Sequence, residues 1–503
     1  MKLIRAIRTV IVSPLTKIVN QTLKKGIFPD RLKIAKIIPV HKNNEADIIE
    51  NYRPISVLPV LSKIFEKVIS MQITSHFVDQ NLFFSSQYGF RKNHSTELAI
   101  IENIDRVTQL LEDKKCPLNI FLDLSKAFDT LNHDILLSKL RHYGIRNEAY
   151  SLCKSYLTNR KQYVNFNETN SNMLPIETGV PQGSILGPLF FLIYLNDFGR
   201  SSNMFKFIIY ADDTTLLSSL LLEGGSDLSP QQSTLNNELE NVNNWLKVNK
   251  LSLNVNKTKL MIYTTPQQRP PILNISIENN GIKQVDTFDY LGVTIDSCLS
   301  WKAHVQKIGK KISKVTGIMS RLKHFIPSDT LLILYNSLIF PHLIYGTLLW
   351  GHKLKIIQKL QKKAVRTLAK AKYNSHTEPI MKKFNVLKIE DVVKLQEYKF
   401  CYKLTNNLLP DYFNSYTLVR FRDIHNYETR QSNTLVPPRV KYQLCKCSIR
   451  IRLPLIINNL PSDIQEKFST HSIFGLCFYY KRITTSNYES TCLLRDCYIC
   501  NSR

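Results

Sequence analysis

Negative charge is what this chain most conspicuously lacks. Its 503 residues include 67 lysines and arginines against 40 aspartates and glutamates, a net charge of +27. That imbalance points to a polyanionic partner, most simply a nucleic acid, with an anionic membrane surface as the weaker alternative. A paired cysteine framework is also missing. The ten cysteines show no repeated spacing before residue 445, and no secretory leader is read at the start. Reduced thiols in an intracellular protein are therefore expected, which argues against a disulfide-stapled secreted scaffold. No internal repeat is present, which excludes a solenoid or an array. Long uninterrupted apolar runs are absent too. The nearest, residues 331–350 (LLILYNSLIFPHLIYGTLLW), is uncharged but interrupted by Asn336, Ser337, Pro341 and His342. A buried helix pair broken at Pro341 is expected there, and no membrane span.

The remainder reads as a globular chain, 43% apolar and 21% charged, with room for several structural units and a substantial core. At the start, Leu3, Ile4, Ile7, Val10 and Ile11 fall at helical spacing. They are read as a structural helix over 1–22, with a targeting segment as the alternative.

The most informative stretch is FKFIIYADDTTLL, residues 205–217. Apolar, β-branched residues flank two adjacent acids, Asp212 and Asp213, which is the pattern of a tight hairpin with an acidic turn. An isolated pair of this kind is ordinarily a solvated turn. Held between apolar strands, the two charges repel and lose hydration, and a hard cation such as Mg²⁺ would relieve both penalties. A second acid strengthens that reading. PLNIFLDL (117–124) is an apolar run of strand length ending near Asp123, and an acid at the end of a buried strand needs a partner. Two strands of one sheet would bring Asp123 to the 212–213 turn, although Asp212 lies 89 positions later in the chain.

Between them lies TGVPQGSILGPLFFLIYLNDF, residues 178–198. Gly179, Pro181 and Gly183 make a constrained loop, with Ser184 as the expected N-cap of an apolar helix running to about Asn196. Loop amides at such a helix start would suit a phosphate or nucleotide. Upstream, KIAKIIPVHK reads as a strand, NYRPIS as a turn before a helix over about 58–79, and QYGFRKNHSTELAI as a turn opening another helix. Arg53, Lys36 and Lys42 are candidate phosphate contacts. Downstream, residues 222–232 read as a connector, 233–249 as an amphipathic helix, LSLNVNKTKLMIY as a strand carrying Lys257 and Lys259, and DTFDYLGVTID as a hairpin closing near residue 296. Residues 301–405 then hold 21 lysines and arginines against five acids on amphipathic helices, a composition suited to a sugar–phosphate backbone. The tail, 406–503, is less legible. Cys445, Cys447, Cys492, Cys497 and Cys500 match no common zinc spacing, and no histidine completes one.

Taken in order, FLDLSKAFD (121–129), GVPQGSILGPLFF (179–191), YADD (210–213), NKTKLMIY (256–263) and YLGV (290–293) resemble the motifs of reverse transcriptases. The upstream blocks and the LIYGTLLW and LPSDI stretches resemble non-LTR retrotransposon enzymes of the jockey type. The resemblance implies an α+β right-hand polymerase of fingers, palm and thumb with a basic, helical C-terminal region. Fingers and palm would span 23–296, the thumb 297–405, and a C-terminal region of uncertain fold 406–503. It implies that Asp123, Asp212 and Asp213 hold two Mg²⁺ ions. Lys257 would protonate the leaving pyrophosphate, with Lys259 as the alternative. Phe128 would exclude a ribose 2′-hydroxyl, Gln182 and Gly183 would line the nucleotide pocket, and Arg53 would neutralise the triphosphate. Tyr290, Leu291 and Gly292 would grip the primer. RNA template, DNA primer and deoxynucleotides are the implied partners, and the nucleus the implied location. Such proteins usually carry an endonuclease ahead of the polymerase, so a nick supplied in trans or a truncated reading frame is expected. Competing readings are a non-catalytic RNA-binding relic and an intron-encoded maturase.

Overall fold

In the computed structural model, residues 6–42, 45–221, 227–424 and 432–489 are described. The central element is the strand Cys116–Ser125, buried along nearly its whole length. It pairs antiparallel with Asp213–Leu220, which turns back into Lys206–Tyr210, and on its other edge with Lys259–Ile262. Lys283–Gln284 lies outside that edge. Alternate side chains supply two cores, as the period of a strand requires. Phe121, Leu217, Met261 and Ile208 face the helix Thr96–Glu112 and the later helices. Leu118, Ile120, Leu122, Leu260 and Ile262 face the core built with helices His133–His142, Leu186–Tyr194 and Ser229–Val248. The apolar helix Leu186–Tyr194 is enclosed on almost every side, as its composition demands.

A second sheet sets Ile34–His41 antiparallel to Tyr52–Val57 and parallel to Lys161–Phe166. Loops bind the two sheets to their surroundings through backbone contacts. Ser56 N donates to Gln182 O at 2.8 Å, Tyr88 N to Ile209 O at 2.7 Å, and Ile209 N to Ser86 O at 3.0 Å. Gly89 makes this last approach feasible, since a Cβ there would lie 2.4 Å from Ala211 N.

From Lys302 onward the described chain is helical. Lys302–Leu322 packs along Lys355–Leu368, with apolar stripes inward and lysines outward. The uncharged stretch is helical but does not break at Pro341. A π-helical turn, Tyr335–Ile339, precedes Phe340–Ile344, and Pro341 sits in that helix's first turn, where its missing N–H costs little. The break falls at Gly346, with φ of +69°. Among the described residues no helix is long and apolar enough to cross a membrane.

The region after residue 405 returns to the back of the central sheet. Glu112 accepts from Lys441 N at 2.7 Å and Tyr442 N at 3.0 Å. Asp105, fully buried, accepts from Ser448 Oγ at 2.5 Å and from the Tyr416 hydroxyl. Burial pushes Asp105 up to about 7. Three helices complete this region: Ile449–Asn458, Ser462–Thr470 and Ile473–Ser486.

NYRPIS, expected as a turn, instead forms the strand Tyr52–Val57, and three boundaries differ from the sequence reading. The first helix is Arg8–Lys25, closed by Gly26 in the left-handed region, and its outer face leaves Val10 78% exposed. The helix expected from 233 begins at Ser229, with Pro230 in its first turn; residues 222–226 of the connector lie outside the described residues. The strand expected over 251–263 is two, Ser252–Leu253 and Lys259–Ile262. Asn254 divides them: its side chain accepts from Lys257 N at 3.2 Å and its carbonyl from Thr258 Oγ1 at 3.0 Å, the local competition that polar side chains offer a strand.

Replacing Gly89 by alanine forces a clash with the Ala211 backbone at the acidic hairpin. Thermal or urea unfolding of Gly89→Ala is expected to read a loss of about 1–3 kcal/mol.

Candidate active site

The acidic turn is built by strand pairing. Tyr210 and Asp213 close the hairpin as opposed residues, and Ala211 between them takes φ of +55°, a left-handed conformation unusual for a residue with a Cβ. Asp213 is also the register partner of Asp123 on the central strand. Two independently coded strand ends therefore bring Asp123, Asp212 and Asp213 to one edge of the sheet. Their tips reach water, yet the protein around them strips much of their hydration. Desolvation, then the charges of Asp212 and Asp123, pushes Asp213 up to about 6. Asp212 is raised for the same first reason, with Asp123 adding repulsion and Arg53 opposing it. Arg53 thus acts on the site from the second sheet.

Beside the acids lies a cleft of about 490 Å³ lined by Asp123, Asp213, Lys257, Lys259 and the hairpin tip Tyr290–Gly292. The Asn254 turn presents Lys257, whose Nζ is 3.6 Å from Asp123 Oδ2. Lys259 instead bonds back to the Asn256 carbonyl, so Lys257 is the lysine directed at the acids. At the hairpin tip Tyr290 turns inward, 3% exposed and 5.2 Å from the Phe121 ring. Leu291 and Gly292 form the turn itself, and Leu291 O accepts from Tyr345 Oη at 2.5 Å. The helical region is thereby tied to the cleft.

On the other side, Phe128 stacks on Phe191 at 4.4 Å, which holds its ring in place. Val180 N donates to Phe128 O at 2.9 Å, joining this residue to the 179–185 loop. Gln182 Nε2 donates to both Asp129 carboxylate oxygens, at 2.8 and 2.9 Å. Gly183 has φ of +125°, and a Cβ there would lie 2.7 Å from Ser56 O. The helix start does not offer free amides to a phosphate, which corrects the sequence reading. Ser184 Oγ accepts from Gly187 N at 2.9 Å, and the Glu66 carboxylate takes Ile185 N and Leu186 N. Lys36 and Lys42 stand on or just past the strand Ile34–His41; the positive charge of Lys42 favours the charged form of Asp129.

Sequence reasoning missed Asp129 and Glu66. The first closes the FLDLSKAFD block, and the second lies among Ser62, Phe65, Ile69 and Ile73 on the buried face of its helix. An acid at an apolar helical phase was the signal available.

The donor chemistry suits a hard divalent cation. Among the described residues no group of three or more histidine, cysteine, aspartate or glutamate side chains forms a ready-made metal cage. Mg²⁺ characteristically takes only one or two carboxylates and completes its shell with water and substrate phosphates, so mutually repelling acids beside an open cleft fit it. Among the described residues the cysteines form no metal-binding group. Cys445 is buried with its thiol directed at Thr108 O, and burial raises its pKa, while Cys492, Cys497 and Cys500 lie outside the described residues.

The sequence pattern of the family described as "Reverse transcriptase (RNA-dependent DNA polymerase)" matches residues 40–295, a span that holds every residue of this site. The chain belongs to the reverse transcriptase family. Its architecture is accordingly the α+β right hand of reverse transcriptases. Among curated relatives, the RNA-directed DNA polymerase from mobile element jockey of Drosophila melanogaster is 28% identical over 79% of this chain and 44% of its own length. The probable RNA-directed DNA polymerase from transposon BS of the same species is 28% identical over 78% of this chain and 44% of its own length. The chain thus spans less than half the length of these relatives. Among solved structures, telomerase from Candida albicans, in complex with a fragment of telomeric RNA, aligns with a TM-score of 0.38 at 12% identity. That alignment covers 79% of this chain and 67% of the other.

The raised Asp213 pKa carries a sign. Between the ordinary carboxylate value of 3.8 and about 6, the folded chain binds more protons than the unfolded one, so the ionised carboxylate destabilises the fold above that window and the penalty fades below it. Asp213→Asn is therefore expected to melt higher than the wild type at neutral pH in chelator, with the gain shrinking as pH falls through this window in a thermal-shift series.

Proposed function

We propose that the chain is an RNA-directed DNA polymerase that extends a DNA primer on an RNA template with deoxynucleotides. The observation that carries this reading is the register pairing of Asp123 with Asp213, with Asp212 beside them at the mouth of a cleft. The transfer joins the primer 3′-oxygen to the α-phosphorus of the incoming nucleotide and breaks the bond to pyrophosphate. Asp123, Asp212 and Asp213 would hold two Mg²⁺ ions, which when bound lower the pKa of the 3′-hydroxyl and neutralise the leaving pyrophosphate. Lys257, directed at the acids, supplies a proton to the pyrophosphate as it departs. Arg53, already acting on Asp212, balances the triphosphate charge.

Selection of the sugar falls to Phe128, whose stacked ring cannot retreat from a 2′-hydroxyl without disturbing Phe191. Gln182 and Gly183 contribute the wall of the nucleotide pocket. At the primer end, Leu291 and Gly292 make the contact, with Tyr290 as the buried anchor that holds the turn in place. The lysine-faced helices from Lys302 onward suit the backbone of the template–primer duplex. A nuclear site of action belongs to the same reading.

Primer extension on poly(rA) with an oligo(dT) primer and Mg²⁺ tests it. Deoxynucleotide incorporation is expected from the wild type, with a loss of at least ~100-fold in Asp212→Ala and RNA affinity retained. Extension that survives Asp212→Ala would refute the site. Absent extension with tight, salt-sensitive RNA binding would instead identify a binding relic. In the same assay Phe128→Ala is expected to lower discrimination against ribonucleotides by about tenfold or more.

A further inference from the structure

Glu66 is a carboxylate without surface. It is 0% exposed, and among the described residues it has no ion-pair partner. Its hydrogen bonds define its place instead. Ser62 Oγ donates to Oε1 at 2.8 Å, while Ile185 N and Leu186 N donate to Oε2 at 2.6 and 3.4 Å. Ile185 offers no side-chain cap to the helix Leu186–Tyr194, and Ser184 Oγ takes only Gly187 N, so Ile185 N and Leu186 N would be orphaned without this carboxylate. A negative charge is also the one that the positive end of a helix favours. Burial of the acid is tolerated because three donors and the helix end together replace its water.

The consequence lies in what precedes that helix. Only Gly183 and Ser184 separate Gln182 from the first amide that Glu66 holds. On the opposite side Ser56 N grips Gln182 O, and Ser56 O limits what Gly183 can be. Ser56 and Glu66 belong to one continuous segment, the strand Tyr52–Val57 and the helix Val60–Asp79, which also carries Arg53. One segment therefore clamps the Gln182 loop at both ends.

We propose that Glu66 is a positioning residue for the nucleotide pocket, fixing the 182–186 backbone so that Gln182 and Gly183 meet the incoming nucleotide in one arrangement. This rests on the functional reading of that pocket. It assigns Glu66 no contact with substrate; it acts through the loop.

The test uses the full chain and three proteins: wild type, Glu66→Gln and Glu66→Leu. The glutamine keeps one acceptor for Ile185 N, and the leucine keeps none. Amide hydrogen exchange across 182–187 is expected to accelerate in the order Glu, Gln, Leu. In steady-state primer extension the KM for deoxynucleotide is expected to rise in the same order, by ~5-fold or more for the glutamine, with kcat changed less than KM. A merely structural role would lower the melting temperature and the active fraction, leaving KM unmoved. Unchanged loop exchange, or an unchanged KM in folded Glu66→Gln beside an active wild type, overturns the inference alone. A wild type that extends no primer overturns the functional reading, and this inference with it. Should the leucine variant fail to fold, the glutamine variant decides the matter.

Discussion

Three like charges gathered at the end of two buried strands constrain much of the rest of this structure. Asp123 and Asp213 are opposed by register, and Asp212 follows a residue held at positive φ. Neither pairing can slip by one residue without turning an acid into the core and an apolar side chain into water. The sheet is therefore committed to presenting charge that it cannot itself neutralise, and the surroundings are correspondingly basic: Arg53 from the second sheet and Lys257 from the Asn254 turn. The chain's overall excess of positive charge extends the same asymmetry outward.

Holding such a site in place falls to contacts that look incidental one by one. Ser56 of the second sheet holds the Gln182 loop, and the loop at Tyr88 and Gly89 is bonded to and closely packed on the Ile209–Ala211 strand end. The hairpin tip is tied to the helical region through Tyr345, and the chain beyond residue 405 returns to Asp105 and Glu112 behind the sheet. Parts far apart in sequence thus share one core, and the acids stand on a scaffold braced from both faces.

Much of this was legible in the residues. The alternation of FKFIIYADDTTLL and the apolar run before Asp123 specified two strands and a turn, and these formed with the expected pairing. Capping chemistry offers Ser95 or Thr96 for the head of the helix Thr96–Glu112, and it is the Ser95 hydroxyl that accepts from Leu98 N. Other features depend on distant partners. The amides before Leu186 were read as free because Glu66, over a hundred residues earlier, was not seen to reach them. Pro341 was read as a break, although a preceding π turn absorbs its missing donor. Asn254 divided a strand by a side-chain bond that periodicity does not register.

The most direct test of the central claim is Mn²⁺ binding followed by electron paramagnetic resonance, on the full chain and on Asp123→Asn and Asp213→Asn separately. The convergence of the acids predicts a bound Mn²⁺ signal in the wild type that is weakened in each variant, although the two residues lie on different strands. Equal binding in all three proteins would contradict it and place the cation elsewhere.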